Sequence, residues 1–341
     1  MSLRRSEDKK GKNVSVKLIE VERCARIAVE KCVKLNPGER VLVVTDTMRD
    51  QSVAQALAGA AVAAGNEAVL MVMPTRRLTP QEPPASVVAA AQAADVVFLY
   101  TTYSLSHSQA RVLAQRAGAR VISMPGVTED GFLRTMSVDM GALARLTNGL
   151  AAKVAGAKAA RVTTSLGTDI SYVLGNPVTS MDGLCETPGD LDFFPAGCFL
   201  SVPQVGSATG RAVVDGSITQ IGRLSTPVTM TFDGGRLVKI EGGGEAARLE
   251  KMLAALDDPG AYNFAAWGIG TNPGAALVGE DPSFEGERVF GWTHVSTGSN
   301  ATFPGGTVRA KIHLDGIISS PTVYLDDQII VKDGKFQGEF A

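Results

Sequence analysis

The segment RVLVVTDTMRDQSVAQALAGAAVAAGNEAVLMVM, residues 40–73, determines the fold class of this sequence. It opens with a continuous apolar, mostly β-branched run at 40–47, which is typical of a strand buried on both faces of a parallel sheet. An alanine-rich stretch at 51–64 then predicts a helix that ends at a Gly-Asn pair. A second apolar strand follows at 67–73. Strand, helix and strand in this order predict one repeat of a parallel α/β sheet.

The same alternation continues on both sides of this segment. Helical spacing of apolar residues predicts a helix at 15–35, which stops at an Asn-Pro-Gly sequence. The elements predicted after the segment are a helix at 84–93, a strand at 95–100, a helix at 106–117, a strand at 120–124 and a helix at 140–155. Repeated alternation of this kind predicts an N-terminal, doubly wound, Rossmann-like α/β sheet.

The pattern changes near residue 158 to short alternating segments separated by Gly, Pro, Asp and Ser, which predicts antiparallel strands. The predicted strands are 161–165, 198–202, 211–215, 228–232, 237–241, 308–314 and 322–325, with one helix at 245–256. We therefore predict three regions. They are a disordered tail or cloning scar at 1–16, an α/β domain at 17–157 and a C-terminal, mainly antiparallel β (α+β) domain at 158–341.

The composition is that of a globular protein without a strong charge. Of 341 residues, 45% are hydrophobic, and 33 Lys and Arg stand against 35 Asp and Glu. A net charge of −2 gives no field that would attract nucleic acid or an anionic membrane. The longest apolar stretches are too short to span a bilayer. The expected partner is a small molecule, with no nucleic acid and no membrane.

The cysteines and the charged start of the sequence indicate a cytoplasmic location. Cys24, Cys32, Cys185 and Cys198 lie far apart and form no CxxC pair, so neither a disulfide framework nor a zinc knuckle is expected. The start has no apolar core of a signal peptide. Reduced thiols in the cytoplasm are the simplest interpretation.

A parallel sheet usually binds ligands beyond the carboxyl ends of its strands, here near residues 45–48 and 101–107. No predicted strand leads into GxGxxG or GxxxxGK[ST], the patterns whose backbone cradles phosphates. We therefore expect no nucleotide or dinucleotide site.

The sequence contains three histidines, His107, His294 and His313. In KIHLDG, residues 311–316, His313 and Asp315 are two positions apart on a predicted strand, so both project from one face. An imidazole and a carboxylate suit Fe(II), Mn(II) or Zn(II), and two histidines with one carboxylate are the ligands of non-haem iron oxygenases. His294 lies only a hairpin away. The alternative is a partly exposed histidine and an aspartate near a turn.

Five segments resemble, in the same order, the superfamily that joins aminopeptidase T to 2,5-dihydroxypyridine 5,6-dioxygenase. They are FPAGCFLSVP (194–203), WGIGTNPGA (267–275), HVSTGSN (294–300), IHLDG (312–316) and TVYLDD (322–327). The Ser-His-Ser sequence at 106–108, the stretch at 186–197 and the chain length are closer to the dioxygenase branch. The resemblance covers the chain from about residue 17 and implies a metal site at the HLD motif, with His313 and Asp315 as ligands.

The sequence departs from the superfamily at two metal-binding positions. The peptidase branch carries glutamates where this chain has Cys198 and Ala266, and the dioxygenase branch places a histidine near the position of Ala266. His294 stands where the peptidase branch has a ligating histidine. A dinuclear site needs about five protein ligands, and only three are found here. The resemblance therefore implies one divalent metal ion held by His294, His313 and Asp315.

Three further side chains are candidates for the site. His107 matches a histidine of the dioxygenase branch that is thought to act as an acid/base, a role that suits an imidazole; a solvated histidine at a helix start is the alternative. Cys198 is a candidate fourth ligand or nucleophile, or a small core residue. Glu186 is a candidate substitute carboxylate at the site, or a solvated turn residue.

These observations predict a mononuclear metalloenzyme, with Fe(II) as the first choice. The preferred function is dioxygenase-like cleavage of a small hydroxylated aromatic or N-heterocyclic ring. One alternative is a hydrolase using Zn, Mn or Co, either an aminopeptidase or an aromatic amide or amine hydrolase. Another is a non-catalytic binding protein on a scaffold that has lost its ligands at Cys198 and Ala266. Because similar proteins tend to self-associate, a dimer or larger homo-oligomer is expected.

Overall fold

The computed structural model describes residues 7–76, 81–278 and 283–341 and divides the chain into two compact units. Unit 1 consists of the residues up to Met140 together with Gly183–Pro195, and unit 2 consists of Gly141–Asp182 and Ala196–Ala341. Residues 1–6 of the predicted tail lie outside the described residues, and the first helix begins at Glu7. No helix in the described ranges is long and apolar enough to cross a membrane.

Helices and strands are numbered in chain order. The helices are α1 (Glu7–Ile27, continued by a π-helical turn at Ala28–Val33), α2 (Gln51–Ala63), α3 (Ala85–Ala93), α4 (Gln109–Arg116), α5 (Glu129–Met136), α6 (Met140–Gly156), α7 (Gly244–Ala255) and α8 (Ser283–Gly286), with 3-10 turns at Pro259–Tyr262 and Gly338–Phe340. The strands are β1 (Arg40–Asp46), β2 (Glu67–Met73), β3 (Val96–Tyr100), β4 (Arg120–Ser123), β5 (Ala159–Thr163), β6 (Asp169–Val173), β7 (Val178–Met181), β8 (Leu191–Phe193), β9 (Cys198–Ser201), β10 (Thr209–Val214), β11 (Ser217–Ile218), β12 (Gly222–Arg223), β13 (Val228–Asp233), β14 (Arg236–Glu241), β15 (Phe264–Gly270), β16 (Thr293–Gly298), β17 (His313–Ile318), β18 (Thr322–Leu325), β19 (Gln328–Lys332) and β20 (Lys335–Phe336).

Unit 1 contains the predicted parallel sheet. Its five described strands lie in the order β2-β1-β3-β4-β8, and every neighbouring pair is parallel. β1 is buried at each position after Arg40, and both α2 and α3 contact it. Its continuous apolar sequence is therefore explained by burial on two faces. The predicted α/β fold class, with an antiparallel second part, is confirmed.

The last strand of this sheet, β8, comes from a segment that returns to unit 1 late in the chain. Leu191 of β8 lies opposite Val121 of β4 in parallel register. The structure thus differs from the predicted boundary at residue 157 in two places, because unit 2 already begins at Gly141 and Gly183–Pro195 belongs to unit 1. A strand of three residues is too short to show a period in the sequence.

Asp46 is the last residue of β1, at its carboxyl end, and is 1% exposed. Its carboxylate accepts hydrogen bonds from the amide and hydroxyl of Thr102 (2.6 and 2.9 Å), the amide of Met48 (3.0 Å) and the hydroxyl of Thr75 (2.9 Å). Burial alone would raise the pKa of Asp46, but these bonds favour the charged form and lower it. The Asp46 carboxylate therefore connects the loops that follow β1, β2 and β3 through hydrogen bonds.

Unit 2 is a sandwich of two mainly antiparallel sheets. The eight described strands of one sheet run β14-β13-β10-β6-β5-β18-β19-β20, and the seven of the other run β12-β11-β17-β16-β15-β9-β7. One hydrophobic cluster contains side chains of both sheets together with Leu150 of α6 and Leu249 of α7. In this cluster the ring of Tyr172 lies 5.4 Å from that of Trp267 and 5.2 Å from that of Phe264. These aromatic contacts join the two sheets.

Most predicted elements occur within a few residues of their expected bounds, but α5 and several strands, β15 and β16 among them, were not predicted, and the strand predicted at 308–314 is wrong. β17 begins only at His313. The residues before β17 form hydrogen bonds to a loop instead of to a strand. The side-chain oxygen of Asn300 accepts hydrogen bonds from the amides of Thr307 (3.0 Å) and Val308 (2.8 Å). Local side-chain bonds of this kind compete with strand pairing.

We expect Asp46→Asn to destabilise unit 1 by about 1 to 3 kcal/mol, because a neutral amide loses the charge-assisted bonds and brings its own donors to face those of Thr102. Urea unfolding followed by circular dichroism measures the loss. Both tryptophans, Trp267 and Trp292, belong to unit 2, so fluorescence in the same titration reports that unit.

The matched control is Asp130→Asn in the same unit. Asp130 is 68% exposed in its side chain and pairs with Arg134 at 2.8 Å, so its removal should change stability by less than about 1 kcal/mol. Equal unfolding midpoints for the Asp46 and Asp130 variants would show that Asp46 does not hold the three loops.

Candidate metal centre

Side chains of β15 and β16 alternate between two environments. Trp267 and Val295 lie opposite each other and belong to the sandwich core. Their chain neighbours Gly268, His294 and Ser296 therefore point to the other face of the sheet, since successive strand residues project to opposite sides. This second face carries the candidate site.

A β-bulge in β15 determines which of its residues face the core and which face the candidate site. Phe264 and Trp267 both belong to the core although they are three residues apart, because the pairing with β16 shifts between Phe264 and Ala266. A bulge inserts one residue and reverses the alternation beyond it. Ala266 and Gly268 are thereby placed on the candidate face.

His313 and Asp315 of β17 contact each other directly. Ser296 lies opposite Asp315 in the β16–β17 pairing. His313 Nε2 is 3.2 Å from Asp315 Oδ1, and His313 Nδ1 donates to the carbonyl oxygen of Ser299 at 2.7 Å. The Ser296 hydroxyl donates to the same Asp315 oxygen at 2.5 Å. The predicted common face of His313 and Asp315 is confirmed, and neighbouring groups orient both side chains.

The two side chains shift each other's pKa. Burial alone would lower the pKa of His313, but the Asp315 carboxylate and the bonds to Asp315 and Ser299 raise it to about 9. Burial alone would raise the pKa of Asp315, whereas the charge and hydrogen bond of His313 hold it well below its usual range. Once His313 has lost its Nε2 proton, the ionised carboxylate and the neutral imidazole are a donor pair that divalent transition metals favour.

His294 is fully buried, and neither of its ring nitrogens has a hydrogen-bond partner. Gly268 lies opposite on β15, where a Cβ would be 2.5 Å from Cε1 and 3.0 Å from Nε2 of the ring. Burial lowers the pKa of His294 to about 4, so the ring is neutral at neutral pH. Because an unpaired buried polar group is costly, these nitrogens indicate a partner outside the polypeptide.

The donor chemistry of the three residues fits a divalent ion. Two atoms that bind one ion at about 2.1 Å lie roughly 3.0 to 3.4 Å apart at an angle of about 90° to 110°, and His313 Nε2 and Asp315 Oδ1 are 3.2 Å apart. In the described part of the chain, however, no three His, Cys, Asp or Glu side chains are gathered so that they could hold an ion. His294 lies opposite Ile317 on the same face of the sheet, but it does not form a group of three candidate ligands with His313 and Asp315.

Two buried ionisable side chains, Arg288 and Glu287, were not found by sequence reasoning. Arg288 is 1% exposed and donates to the carbonyl of Phe284 (2.8 Å), to the Glu287 carboxylate and to the sulfur of Met181 (3.5 Å). Burial raises the pKa of Glu287 to about 8 despite Arg288, and the charge of Asp315 adds to the rise. Adjacent Glu and Arg residues are common in exposed turns, so the sequence carries no signal of this burial.

Cys198 and Ala266 lie in the same sheet as the candidate ligands. Cys198 is buried at the start of β9, opposite Gly270, and its Sγ is 3.6 Å from the sulfur of Met181. Ala266 lies opposite Ser296. The Ser296 hydroxyl donates to the Asp315 carboxylate. Position 266 therefore lies directly across from a residue that binds this carboxylate.

His107 and Glu186 belong to unit 1. His107 lies between β3 and α4, immediately before Ser108, whose hydroxyl caps α4 by accepting the amide of Arg111 at 3.2 Å. Glu186 forms an exposed ion pair with Lys34 at 2.7 Å. The roles assigned to these two side chains stay predictions.

The fold and the buried histidine–carboxylate face define a protein of the superfamily that the sequence motifs predict. The profile of the NicX family, described as 2,5-dihydroxypyridine 5,6-dioxygenase, matches residues 21–338. The chain therefore belongs to the NicX family, which confirms the predicted resemblance to the dioxygenase branch. Membership of a dioxygenase family implies a metal cofactor.

Individual relatives agree with this assignment. The 2,5-dihydroxypyridine 5,6-dioxygenase of Pseudomonas putida strain KT2440 is 27% identical over 194 residues, a segment that spans 52% of this chain and 54% of the relative. The chain thus matches about half the length of that relative. The solved structure of 2,5-dihydroxypyridine dioxygenase from Pseudomonas putida KT2440 has a TM-score of 0.79 and 21% identity, covering 95% of this chain and 98% of that one. Wild-type AmpT from Thermus thermophilus has a TM-score of 0.67 and 14% identity, covering 93% and 98%. Both structures share the fold.

Gly268→Ala should destabilise unit 2 by about 1 to 3 kcal/mol, because β9 and the imidazole would have to move to admit the methyl group. The new Cβ would lie 2.1 Å from the carbonyl oxygen of Phe199 and 2.5 Å from the His294 ring. Urea unfolding followed by the fluorescence of Trp267 and Trp292 measures this change. In the control Gly156→Ala nothing lies within 4 Å of the added Cβ, so stability should stay level or rise by up to about 1 kcal/mol. A parental midpoint for Gly268→Ala would contradict the close approach of His294 to β15.

Proposed function

We propose that this chain is a mononuclear Fe(II) dioxygenase that cleaves a small hydroxylated aromatic or N-heterocyclic ring. In such a reaction one ring carbon–carbon bond breaks and both atoms of O2 enter the product, so no external reductant is needed. The observation that carries the proposal is the buried, unpartnered imidazole of His294 on the face of the His313–Asp315 pair, in a chain of a dioxygenase family.

His313, Asp315 and His294 are the proposed ligands. A bound ion would supply open coordination positions for a chelating substrate and O2. Iron is preferred because two imidazoles with one carboxylate are the ligands of non-haem iron oxygenases. Zn, Mn and Co are the metals that a hydrolytic enzyme would carry instead.

Neighbouring groups prepare these ligands. His313 Nδ1 donates a hydrogen bond to the carbonyl oxygen of Ser299, which directs the Nε2 atom towards the site. The Ser296 hydroxyl fixes one oxygen of Asp315. Burial keeps the His294 ring neutral, the form in which an imidazole binds metal. The chain thus holds each donor in a defined orientation, and His313, whose pKa is raised to about 9, releases its Nε2 proton when a metal binds.

His107 is the proposed acid/base. Its position between the end of β3 and the start of α4 is one from which parallel sheets present residues to ligands. We propose that it accepts a proton from a ring hydroxyl, which makes the ring more electron-rich. The support is this placement and the resemblance of residues 106–108 to the dioxygenase branch.

Hydrolysis is less well supported than oxygenation. Cys198 and Ala266 stand where a two-metal peptidase has carboxylates, and Glu186 is paired with Lys34. Without those carboxylates a second cation has too few ligands to balance its charge.

All four cysteines are buried and unbridged, which supports the reducing cytoplasm as the location. We also propose that the chain forms a homo-oligomer.

The activity we expect is oxygen consumption that depends on Fe(II) and substrate. Protein purified without oxygen and then loaded with Fe(II) should consume one O2 for each 2,5-dihydroxypyridine or related aminophenol that loses its ring absorbance. An oxygen electrode and a spectrophotometer measure both quantities. Hydrolysis of leucine p-nitroanilide at enzymatic rates without oxygen would instead support a hydrolase.

The metal content of single variants should distinguish the proposed ligands from the proposed acid/base, His107. We expect His313→Ala and Asp315→Ala each to weaken binding of Fe(II) or Zn(II) by at least about 100-fold, since two donors remain. His107→Ala should keep the parental metal content and lower the rate of oxygen uptake by about 100-fold or more. Elemental analysis of folded protein and calorimetric titration with the metal alone give these values.

The role of position 266 provides a rescue control. His294→Ala should lose metal like His313→Ala, and Ala266→His in the same chain should restore part of the affinity, because position 266 lies across from Ser296. Full metal content in both His313→Ala and Asp315→Ala would refute the proposed site.

A further inference from the structure

The start of α4 is held by a carboxylate from another part of the chain. The first amides of a helix have no hydrogen-bond partner within that helix. In α4 the amides of Gln109 and Ala110 donate to the two carboxylate oxygens of Glu82, at 2.6 and 3.1 Å. The amide of Arg111 donates to the hydroxyl of Ser108 at 3.2 Å. Because the helix dipole favours a negative charge at this end, Glu82 stabilises the first turn of α4.

The backbone around Glu82 has little freedom. Glu82 precedes two prolines, Pro83 and Pro84, and Pro83 is buried. Pro84 is the N-cap of α3, with a φ of −55° and a ψ of 148°. A proline ring fixes its own φ and confines the preceding residue to extended backbone. Because α3 packs against α4, the start of α3 presents the Glu82 carboxylate to the start of α4 with little further loss of backbone entropy.

His107 immediately precedes this capped turn. It lies between Ser106 and Ser108, and both neighbours are held in place. The hydroxyl oxygens of Ser106 and of Ser123 in β4 are 2.6 Å apart, and Arg111 Nε donates to the carbonyl oxygen of Ser106 at 2.7 Å. Ser108 is the N-cap of α4. Since an uncapped helix end frays, loss of the cap would displace the backbone that carries His107.

We infer that Glu82 is a positioning residue for His107, because its carboxylate fixes the start of α4 and thereby the backbone next to the imidazole. An acid/base transfers a proton only within hydrogen-bond reach of its target, and a displacement of about 1 Å can lower a rate by about 100-fold. Glu82 acts in this role without touching the substrate. The inference rests on the proposed acid/base role of His107, and it involves none of the proposed metal ligands.

The alternative is a helix cap that contributes to stability alone. The two roles differ in one measurable respect. The effect of a positioning residue on the rate disappears when the residue that it positions is removed, whereas an independent effect on stability adds to the effect of that removal. A double-mutant cycle of Glu82 and His107 therefore distinguishes the two roles.

This cycle is measured on the full, Fe(II)-loaded chain. Glu82→Ala should lower kcat for oxygen uptake with 2,5-dihydroxypyridine on the order of 10-fold, while KM and the iron content stay parental. In the His107→Ala background the same substitution should change kcat by less than about 2-fold. Glu82→Gln keeps one acceptor oxygen and should recover part of the lost rate.

The matched control is Asp50→Ala in the same unit. Asp50, like Glu82, is exposed, and its carboxylate caps α2 by accepting the amide of Ser52 at 2.9 Å. Its removal should lower the urea unfolding midpoint about as much as Glu82→Ala does, because each variant loses one helix cap. The kcat of Asp50→Ala should stay parental. Circular dichroism shows whether each variant is folded.

Histidine NMR separates this inference from the proposed function. The chain has three histidines, so the His107 signal of iron-free protein labelled with 13C-histidine is the one that His107→Ala removes. Glu82→Ala should shift or broaden this signal, and Asp50→Ala should leave it unchanged. A parental rate in His107→Ala would refute the acid/base role, whereas a displaced His107 signal would still support the positioning.

Three results would overturn the inference. One is an unchanged His107 signal in Glu82→Ala. Another is an equal loss of kcat on removal of Glu82 in the parental and His107→Ala backgrounds, which would show that Glu82 acts on stability alone. The third is a parental kcat in Glu82→Ala when His107→Ala is slow.

Discussion

Strand alternation on β15, β16 and β17 is the constraint on which both the sandwich core and the candidate metal centre depend. Trp267 and Val295 fill the core, so their neighbours Gly268, His294 and Ser296 must lie on the other face. A slip of one residue would exchange the two sets and place an imidazole among aromatic rings. The packing of the core therefore determines on which face of the sheet the candidate ligands lie. On β15 the bulge beside Ala266 determines which residues share that face.

β15 contributes space to the candidate face, whereas β16 and β17 contribute the candidate donors. β15 presents Ala266 and Gly268 to the candidate face, next to Ser296 and His294 of β16. The resemblance implies a metal-binding side chain near position 266 in the related branches, whereas the proposed donors of this chain lie on β16 and β17. The His294 ring lies over Gly268, and a larger residue there would exclude it.

Features governed by local periodicity could be predicted from the sequence. The two-face burial of β1 follows from its unbroken apolar run, and the contact of His313 with Asp315 follows from a spacing of two on a strand. Ser296 carried the same signal, two residues after His294, and was overlooked. The strand at β8 and the burial of Arg288 depend on pairing and packing with residues distant in sequence, which no local pattern encodes. The lack of partners around His294 is likewise a property of the folded chain.

The return of Gly183–Pro195 to unit 1 interleaves the two units along the chain. The backbone passes between them three times, after Met140, Asp182 and Pro195. A fragment ending at Met140 would leave β4 without β8, and a cut at the predicted boundary would remove α6 from the core to which Leu150 belongs. During synthesis on the ribosome, β5, β6 and β7 emerge before the last strand of the parallel sheet. Unit 1 therefore cannot be completed until the first strands of unit 2 have been synthesised.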